Sequence, residues 1–294
     1  MNIQNSIQEN TFNLQGKTIA ITGSTGGLAQ VVVNFLAKFN ANFIFLNRNK
    51  EKTESQIKEL ALLYPNINIE YIPCDLSNFE SVKNATHILK QKHIDILYLA
   101  AGVYNVKRFK TDIGFDNIFQ TNFVSHYYMV KELLTRLNKT NGKIVAVSSI
   151  AYNYSTIDDN DIDFSSRKKA SRVYGNSKRF LTFGLHELMK NQSSQLSIVH
   201  PGVTLTTMTN HYPKAINWLV KLGIKLFFPK IEQASLSLIK GIFENTQPFE
   251  WIGPKIFNIW GKPKKQKIKN IPTEEISKIF NIAENIYNNL TKSN

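Results

Sequence analysis

The most constraining feature of this chain is an alternation: short β-branched runs that end in small residues, each followed by a segment with helical apolar spacing. Lys17-Thr-Ile-Ala-Ile-Thr22 is the first run and reads as a buried strand. It breaks into Gly23-Ser-Thr-Gly26-Gly27-Leu-Ala29, then continues with Val31, Val32, Phe35, Leu36 and Phe39 at helical spacing. Further strands are expected at Asn42–Leu46, Ile67–Ile72, Ile94–Leu99 and Gly142–Ser149, with helical patterns between them. One of these helices stops before Pro65, and a long one carries Phe115, Ile118, Phe119, Phe123, Met129 and Val130. Strands that alternate with helices in this way read as an α/β fold, a doubly wound parallel sheet with helices on both faces. The 294 residues suffice for one such domain, and no shift in composition marks a second. Residues 1–15 read as a loose arm, 16–294 as the single domain, 207–230 as a substrate lid and 273–290 as a final helix.

An open parallel sheet places its ligand at the carboxyl ends of the strands. A strand, a Gly-rich turn and a helix in succession allow close approach to a pyrophosphate, with N–H donors and a positive dipole end facing it. A plain βα turn also favours glycine, but this context favours dinucleotide binding. The second strand ends in Asn47-Arg48-Asn49-Lys50, with no Asp or Glu to accept from a ribose 2′-hydroxyl. Arg48 would instead meet a 2′-phosphate, which favours NADP(H) over NAD(H); the plain alternative is a solvent-facing Arg. Cys74-Asp75-Leu76 follows the third strand, and Ser77-Asn-Phe-Glu80 reads as a capping box. Ala100-Ala101-Gly102 closes the fourth strand with residues small enough for a cofactor to lie against the backbone.

Tyr174-Gly-Asn-Ser-Lys178 opens another apolar run, and its i, i+4 spacing puts Tyr174 and Lys178 one turn apart on one helix face. A phenol beside an ammonium is an acid/base pair, and the cation is expected to lower the Tyr pKa. The spacing alone is not specific, because Tyr127 and Lys131 repeat it. Asn122 falls among apolar helix positions, where an unsatisfied buried amide costs about 1–3 kcal/mol. It serves the structure or holds a water near a site. The strand from Gly142 delivers Ser148 and Ser149, which alternation points to opposite faces.

With these residues assembled, the chain resembles the short-chain dehydrogenase/reductase family, whose fold is Rossmann-type, over nearly its whole length. The matching motifs are Thr22-Gly-x-x-x-Gly27, Asp75-Leu76, Asn122, Ser149, Tyr174-x-x-x-Lys178 and Pro201-Gly202 followed by Thr206, all in that family's order. The 25-residue interval from Ser149 to Tyr174, with the acidic Asp158–Asp163 inside it, is similar to the retinol-dehydrogenase-like branch that includes WW-domain oxidoreductases. His200-Pro-Gly-Val203 and Trp251-Ile-Gly253-Pro254…Gly261-Lys-Pro263 also resemble that branch. Two departures stand out: Ala29 replaces the third glycine of the turn, and Leu99-Ala100-Ala101-Gly102 replaces Asn-Asn-Ala-Gly.

The resemblance implies roles. Tyr174 would exchange the proton with the substrate oxygen, Lys178 would lower its pKa and bond the nicotinamide ribose, and Ser149 would polarise the carbonyl. Asn122 would hold a relay water. Gly23, Ser24 and Gly27 would sit at the pyrophosphate, Arg48 at the 2′-phosphate, Asp75 at adenine and Thr206 near the carboxamide. Leu28, Leu76, Ala101, Gly102, Pro201, Gly202 and Val203 complete the implied cofactor-binding set.

Composition narrows the compartment and the partners. The single Cys74 excludes a disulfide framework and a cysteine-rich metal site, and it fits a reducing cytosol. The polar N-terminus lacks the pattern of a signal peptide, and no run of about 20 apolar residues reads as a transmembrane helix. A cytoplasmic protein, peripheral at a membrane in one reading, is expected. The net charge of +14 raises nucleic acid or an anionic membrane as partners. Its clusters, Arg167-Lys168-Lys169 with Arg172 and Lys262 through Lys269, are not interleaved with aromatics and read as solvated surface, so no nucleic acid partner is expected.

Past Gly202, residues Ile216, Leu219, Val220, Ile224 and Phe227 recur at helical spacing, with Lys214, Lys221 and Lys225 on another face. A lid over an apolar substrate, a helix in plain core, and a weak membrane-surface contact through 214–228 compete as readings. The expected function is an NADP(H)-dependent oxidoreductase acting on a lipophilic alcohol or carbonyl, as a homodimer or homotetramer by family habit. The rival is a non-catalytic NADP-binding regulator or membrane-associated binding protein on the same fold.

Overall fold

The computed structural model describes residues 14–202, 229–269 and 271–292. The expected arm falls almost wholly outside them, as does most of the expected lid, with Val203 and Thr206. An eight-stranded sheet forms the centre, in the order β3-β2-β1-β4-β5-β6-β7-β8. Its strands are β1 (Thr18–Thr22), β2 (Asn42–Asn47), β3 (Ile69–Pro73), β4 (Ile96–Leu99), β5 (Lys143–Val147), β6 (Gln195–Val199), β7 (Glu250–Ile256) and β8 (Trp260–Lys267). All neighbours pair in parallel except β7 with β8. The helices are α1 (Gly27–Ala37), α2 (Lys50–Leu63), α3 (Phe79–Leu89), α4 (Ser125–Lys139), α5 (Ala170–Met189), α6 (Ile231–Phe243) and α7 (Thr273–Lys292).

Strand alternation builds two apolar layers. Ile19, Ile21, Phe43, Phe45, Ile96, Tyr98 and Val145 face one way, under the apolar sides of α1 and α6. Ala20, Ile44, Leu46, Leu97, Leu99, Ile144 and Ala146 face the other, against α3, α4, α5 and α7. The expected doubly wound sheet is therefore present. Its winding direction reverses between β1 and β4, which opens a crevice at their carboxyl ends.

Two local expectations change, and one element was not expected. The long helix expected through Phe115 to Val130 begins instead as a short turn, Asn117–Phe119, capped by Asp116, whose Oδ1 accepts from Ile118 N at 2.9 Å. A π-turn, Gln120–Val124, follows before α4 and contains Asn122; such turns place an extra residue in the helix and often accompany functional sites. Asn78 rather than Ser77 caps α3, accepting from Ser81 N at 2.8 Å, because Ser77 Oγ donates to Asp75 Oδ1 at 2.7 Å. Finally, Trp251-Ile-Gly-Pro254 and Gly261-Lys-Pro263 lie in an antiparallel hairpin, with Pro254 opposite Pro263. Its lysines and prolines disguise it as loop in the sequence, and on an exposed edge they discourage pairing with another chain.

The final helix forms as α7 and buries Ile276, Ile279 and Ala283. No helix among the described residues is long and apolar enough to cross a membrane.

Candidate active site

The chain leaves β5 through Ser148 and Ser149 into a 3-10 turn, Ile150–Tyr154. The two hydroxyls diverge as alternation requires. Ser148 is buried against Thr182, with Oγ atoms 2.5 Å apart, whereas Ser149 Oγ accepts from Ala151 N at 3.2 Å. Helix α5 presses directly on this turn because residue 175 is glycine. A Cβ there would lie 2.5 Å from Ala151 O and 2.8 Å from Ser155 Oγ, so any side chain would push Tyr174 away from Ser149. With Gly175 in place, the Ser149 hydroxyl stands near enough to the Tyr174 phenol to act on its protonation as a hydrogen-bonding neighbour.

Lys178 follows one turn later and is buried. Its Nζ donates to Val147 O at 2.7 Å and stands 5.7 Å from the Tyr174 ring centre. The expected lowering of the Tyr174 pKa does not occur. Burial pushes the phenol up to about 12, with the Ser149 bond opposing that shift and Tyr104 adding to it. Burial also pulls the Lys178 ammonium down to about 8. Both groups lose hydration that favours charge, and the lysine N–H is aimed at a main-chain carbonyl instead of the phenol.

Asn122 is fully buried, and its side chain is committed in two directions. Its Oδ1 accepts from Val103 N at 2.8 Å, and its Nδ2 donates to Val103 O and Ser177 Oγ, both at 3.0 Å. Gly102 lies close by: a Cβ there would come within 3.4 Å of Asn122 Oδ1 and 3.5 Å of Lys178 Nζ. His126, which the sequence reading missed, completes this floor. Its Nδ1 lies 3.3 Å from Asn122 O and its Nε2 3.1 Å from Thr22 Oγ1, which in turn accepts from Ala101 N at 3.1 Å. One consistent assignment is an imidazole protonated on Nδ1, donating to Asn122 and accepting from Thr22. Burial holds its pKa down to about 3, with the Lys178 charge acting in the same direction, so the ring is neutral. Through this chain the ends of β1 and β4 are tied together although Leu99 and Ala100 supply no side-chain amides. The signal in the sequence was a polar residue one helical turn beyond Asn122.

At the Gly-rich turn, Gly23 has φ +70°, and a Cβ would lie 3.0 Å from both Cα and Cβ of Ala101. Ser24 shapes the turn through both its backbone and its hydroxyl. Its N–H donates to Asn47 Oδ1 at 2.9 Å and its hydroxyl to Gln56 Oε1 at 2.7 Å, while Asn47 Nδ2 donates back to Ser24 Oγ at 2.8 Å. The N-terminus of α1 has neither a side-chain cap nor an acidic residue in its first turn. Those N–H groups and the positive end of the dipole suit an anion. Gly27 opens the helix, its Cα side facing Ile231, and Leu28 packs on the adjoining core.

Arg48 is exposed at the end of β2, with no hydrogen bond or ion pair among the described residues. Asp75 is half-buried, and its Oδ1 also accepts from Ser77 N at 2.9 Å. Leu76 O accepts from Ser125 Oγ at 2.7 Å, which anchors α4 to the end of β3. Pro201 and Gly202 are half-buried just past β6.

A short chain dehydrogenase family model matches residues 17–217. An uncharacterized oxidoreductase of Schizosaccharomyces pombe is 31% identical over 223 residues, 69% of this chain and 66% of that protein. Human retinol dehydrogenase 13 is 28% identical over 67% of this chain and 62% of its own length. For human polyprenol dehydrogenase the identity is 28%, over 70% and 65%. Each match spans less than two thirds of the relative's length. Among solved structures, an uncharacterized protein of Mycobacterium paratuberculosis shares the fold with a TM-score of 0.72 at 20% identity, covering 94% of this chain and 95% of that one. A short-chain dehydrogenase of Sphingobium yanoikuyae, in complex with NADPH, gives 0.58 at 18% identity, covering 77% and 84%. The architecture, the ordered motifs and these likenesses agree, and the chain belongs to the short-chain dehydrogenase/reductase family, on its retinol-dehydrogenase-like branch.

Proposed function

We propose that the protein interconverts an alcohol and a carbonyl on a lipophilic small molecule, using NADP(H). The observation that carries this reading is the Ser149 hydroxyl beside the Tyr174 phenol and the buried Lys178, at the carboxyl edge of β5. The residues around it fit the dinucleotide: an uncapped α1 N-terminus for the pyrophosphate, close packing at Gly23 for backbone approach, and an exposed Arg48 for a 2′-phosphate. The bound nicotinamide would supply hydride to a carbonyl carbon or accept it from an alcohol.

The chain's own groups manage the proton and the charge. Tyr174, with its pKa near 12, keeps its proton at neutral pH and donates it from Oη to the carbonyl oxygen; in oxidation it takes that proton back. Ser149 Oγ–H donates to the same oxygen and stabilises the negative charge that develops there. Lys178, protonated below about pH 8, places positive charge beneath both. Asn122 acts by position, joining the Val103 backbone to Ser177 under Gly102.

An apolar cluster of Ile118, Phe164 and Val173, with Val103, Val106 and Tyr174 packed against it, supports a lipophilic substrate. So do the names of the retinol and polyprenol dehydrogenases among the relatives. The test is a fluorescence titration with NADPH and NADH for wild type and Arg48→Ala, followed by a panel of aldehydes and ketones. NADPH should bind more tightly than NADH, and Arg48→Ala should weaken NADPH about tenfold, the loss of one charge-assisted contact. Absence of NADPH oxidation across the whole panel would overturn the enzymatic reading.

A further inference from the structure

The β7–β8 hairpin carries an apolar tip on a basic stem. Because β7 runs parallel to β6, its C-terminal end emerges at the same sheet edge as Ser149 and the Gly-rich turn. Past Pro254 the register shifts, and the chain turns through Phe257 and Asn258 at φ 50° and 57°. Phe257 is left 81% exposed, with Ile256 at 50% and Trp260 at 38% beside it. A cluster of large apolar side chains held in water marks an interaction surface.

The stem has the complementary property. Residues 251–273 contain six lysines (Lys255, Lys262, Lys264, Lys265, Lys267 and Lys269) and no acidic residue. All six are exposed, and among the described residues only Lys265 has an acidic partner, Glu244 at 3.7 Å. The hairpin is also braced. His200 stacks on Trp251 with ring centres 4.9 Å apart, and its Nε2 lies 3.1 Å from Asn258 O. Gln266 Nε2 donates to Gly253 O at 3.2 Å, Pro254 O at 3.1 Å and Asn258 Oδ1 at 3.2 Å. The tip is thus presented on a pre-formed stem.

We propose that this hairpin docks the protein on an anionic lipid surface, with Ile256, Phe257 and Trp260 entering the interface and the lysines meeting the headgroups. Aromatic side chains settle at the headgroup level, clustered lysines are drawn to anionic leaflets, and stable attachment takes two such signals together. A nucleic-acid groove would alternate cations with stacking aromatics, whereas here the apolar groups gather at the tip and the cations lie behind it. A second copy of this face would bring lysines against lysines, which is repulsive. Lipid docking at this edge would turn the mouth of the candidate site toward the layer in which a lipophilic alcohol dissolves. That consequence rests on the proposed function; the docking does not.

The test is sedimentation of the full chain with vesicles of phosphatidylcholine alone and of phosphatidylcholine with phosphatidylserine. Wild type should sediment with the anionic vesicles only, and less so as salt is raised. Phe257→Ser should weaken binding about tenfold, the scale of one buried aromatic side chain. The triple change Lys262→Gln, Lys264→Gln and Lys267→Gln should remove the dependence on phosphatidylserine. NADPH titration and turnover of a water-soluble aldehyde, run on the same proteins, should be unchanged by either variant. No sedimentation of wild type, or equal sedimentation of Phe257→Ser, would overturn the proposal. So would a dimer that Phe257→Ser splits on gel filtration, which would make the tip a contact between copies. Vesicle binding without aldehyde turnover would leave the docking standing and remove the enzymatic reading alone.

Discussion

Two tyrosine–lysine pairs with the same i, i+4 spacing lie on helices of this molecule, and their surroundings give them different chemistry. In α4, Tyr127 Oη donates to Glu284 Oε1 at 2.6 Å and Lys131 Nζ to Glu284 Oε2 at 2.7 Å. One carboxylate from α7 occupies both groups. Burial first, and then Glu284, hold the Tyr127 phenol far above its ordinary pKa. In α5, no carboxylate among the described residues reaches Tyr174 or Lys178; their neighbours are the Ser149 hydroxyl and the Val147 carbonyl. A carboxylate converts the pair into a tertiary clamp. A hydroxyl partner leaves the phenol able to transfer its bond and its proton to a ligand.

The largest expected difference between the pairs is in turnover. Tyr174→Phe should lower carbonyl reduction with NADPH by about 10³-fold, the scale of a lost general acid, while Tyr127→Phe leaves kcat near wild type. Equal losses in the two variants would break the comparison. Lys178→Met should cost about 10²-fold in kcat through lost charge near the developing oxyanion. The pH profile sharpens this point. Lys178 loses its proton as pH rises through about 8, so the wild-type reduction rate should decline there, and that limb should vanish in Lys178→Met.

Smaller effects fall on stability. Glu284→Gln should lower unfolding free energy by about 1–3 kcal/mol, since it weakens two part-buried hydrogen bonds to charge, with NADPH affinity unchanged. Urea denaturation of the variant, paired with a fluorescence titration, checks both halves. Mild acid should act on the floor of the candidate site. His126 has a folded pKa of about 3 against an ordinary 6.5, so between those values the unfolded chain binds a proton that the folded chain refuses. Stability is then lost as pH falls below about 6.5, at most about 1.4 kcal/mol per pH unit from this ring. His186 and His200, each pulled down to about 4 by burial, add the same sign. Urea midpoints measured from pH 7 to pH 5 should fall less steeply for His126→Asn than for wild type.

Much of the fold was legible because strand and helix periods are local. The alternation from Thr18 to Val147 identified the sheet, and Gly23, Arg48, Ser149, Tyr174 and Lys178 fall at or just beyond the strand ends and on the helix face where their spacing put them. The β7–β8 hairpin was hidden because Gly, Pro and Lys mask the β pattern on an edge strand. The cap of α3 moved by one residue because Ser77 had a nearer carboxylate in Asp75. The Ser24 hydroxyl donates to Gln56. That choice depends on α2 packing beside the turn, 32 residues away in sequence.

By itself, then, the sequence determined the α/β class, the carboxyl edge as the place for a ligand, and the order of residues delivered there. These follow from backbone periods of two and 3.6 and from the few residues that tolerate tight turns. Only the tertiary structure decided that Glu284 silences one Tyr–Lys pair, that burial raises the Tyr174 pKa where a neighbouring cation had suggested lowering, and that His126 ties Thr22 to Asn122. It alone also brought an aromatic hairpin tip to the edge that carries Ser149. The physical reason is that hydration and hydrogen-bond partners are set by groups distant along the chain. Thr22 and His126 are 104 positions apart, and Tyr127 and Glu284 are 157 apart, separations that no local pattern encodes.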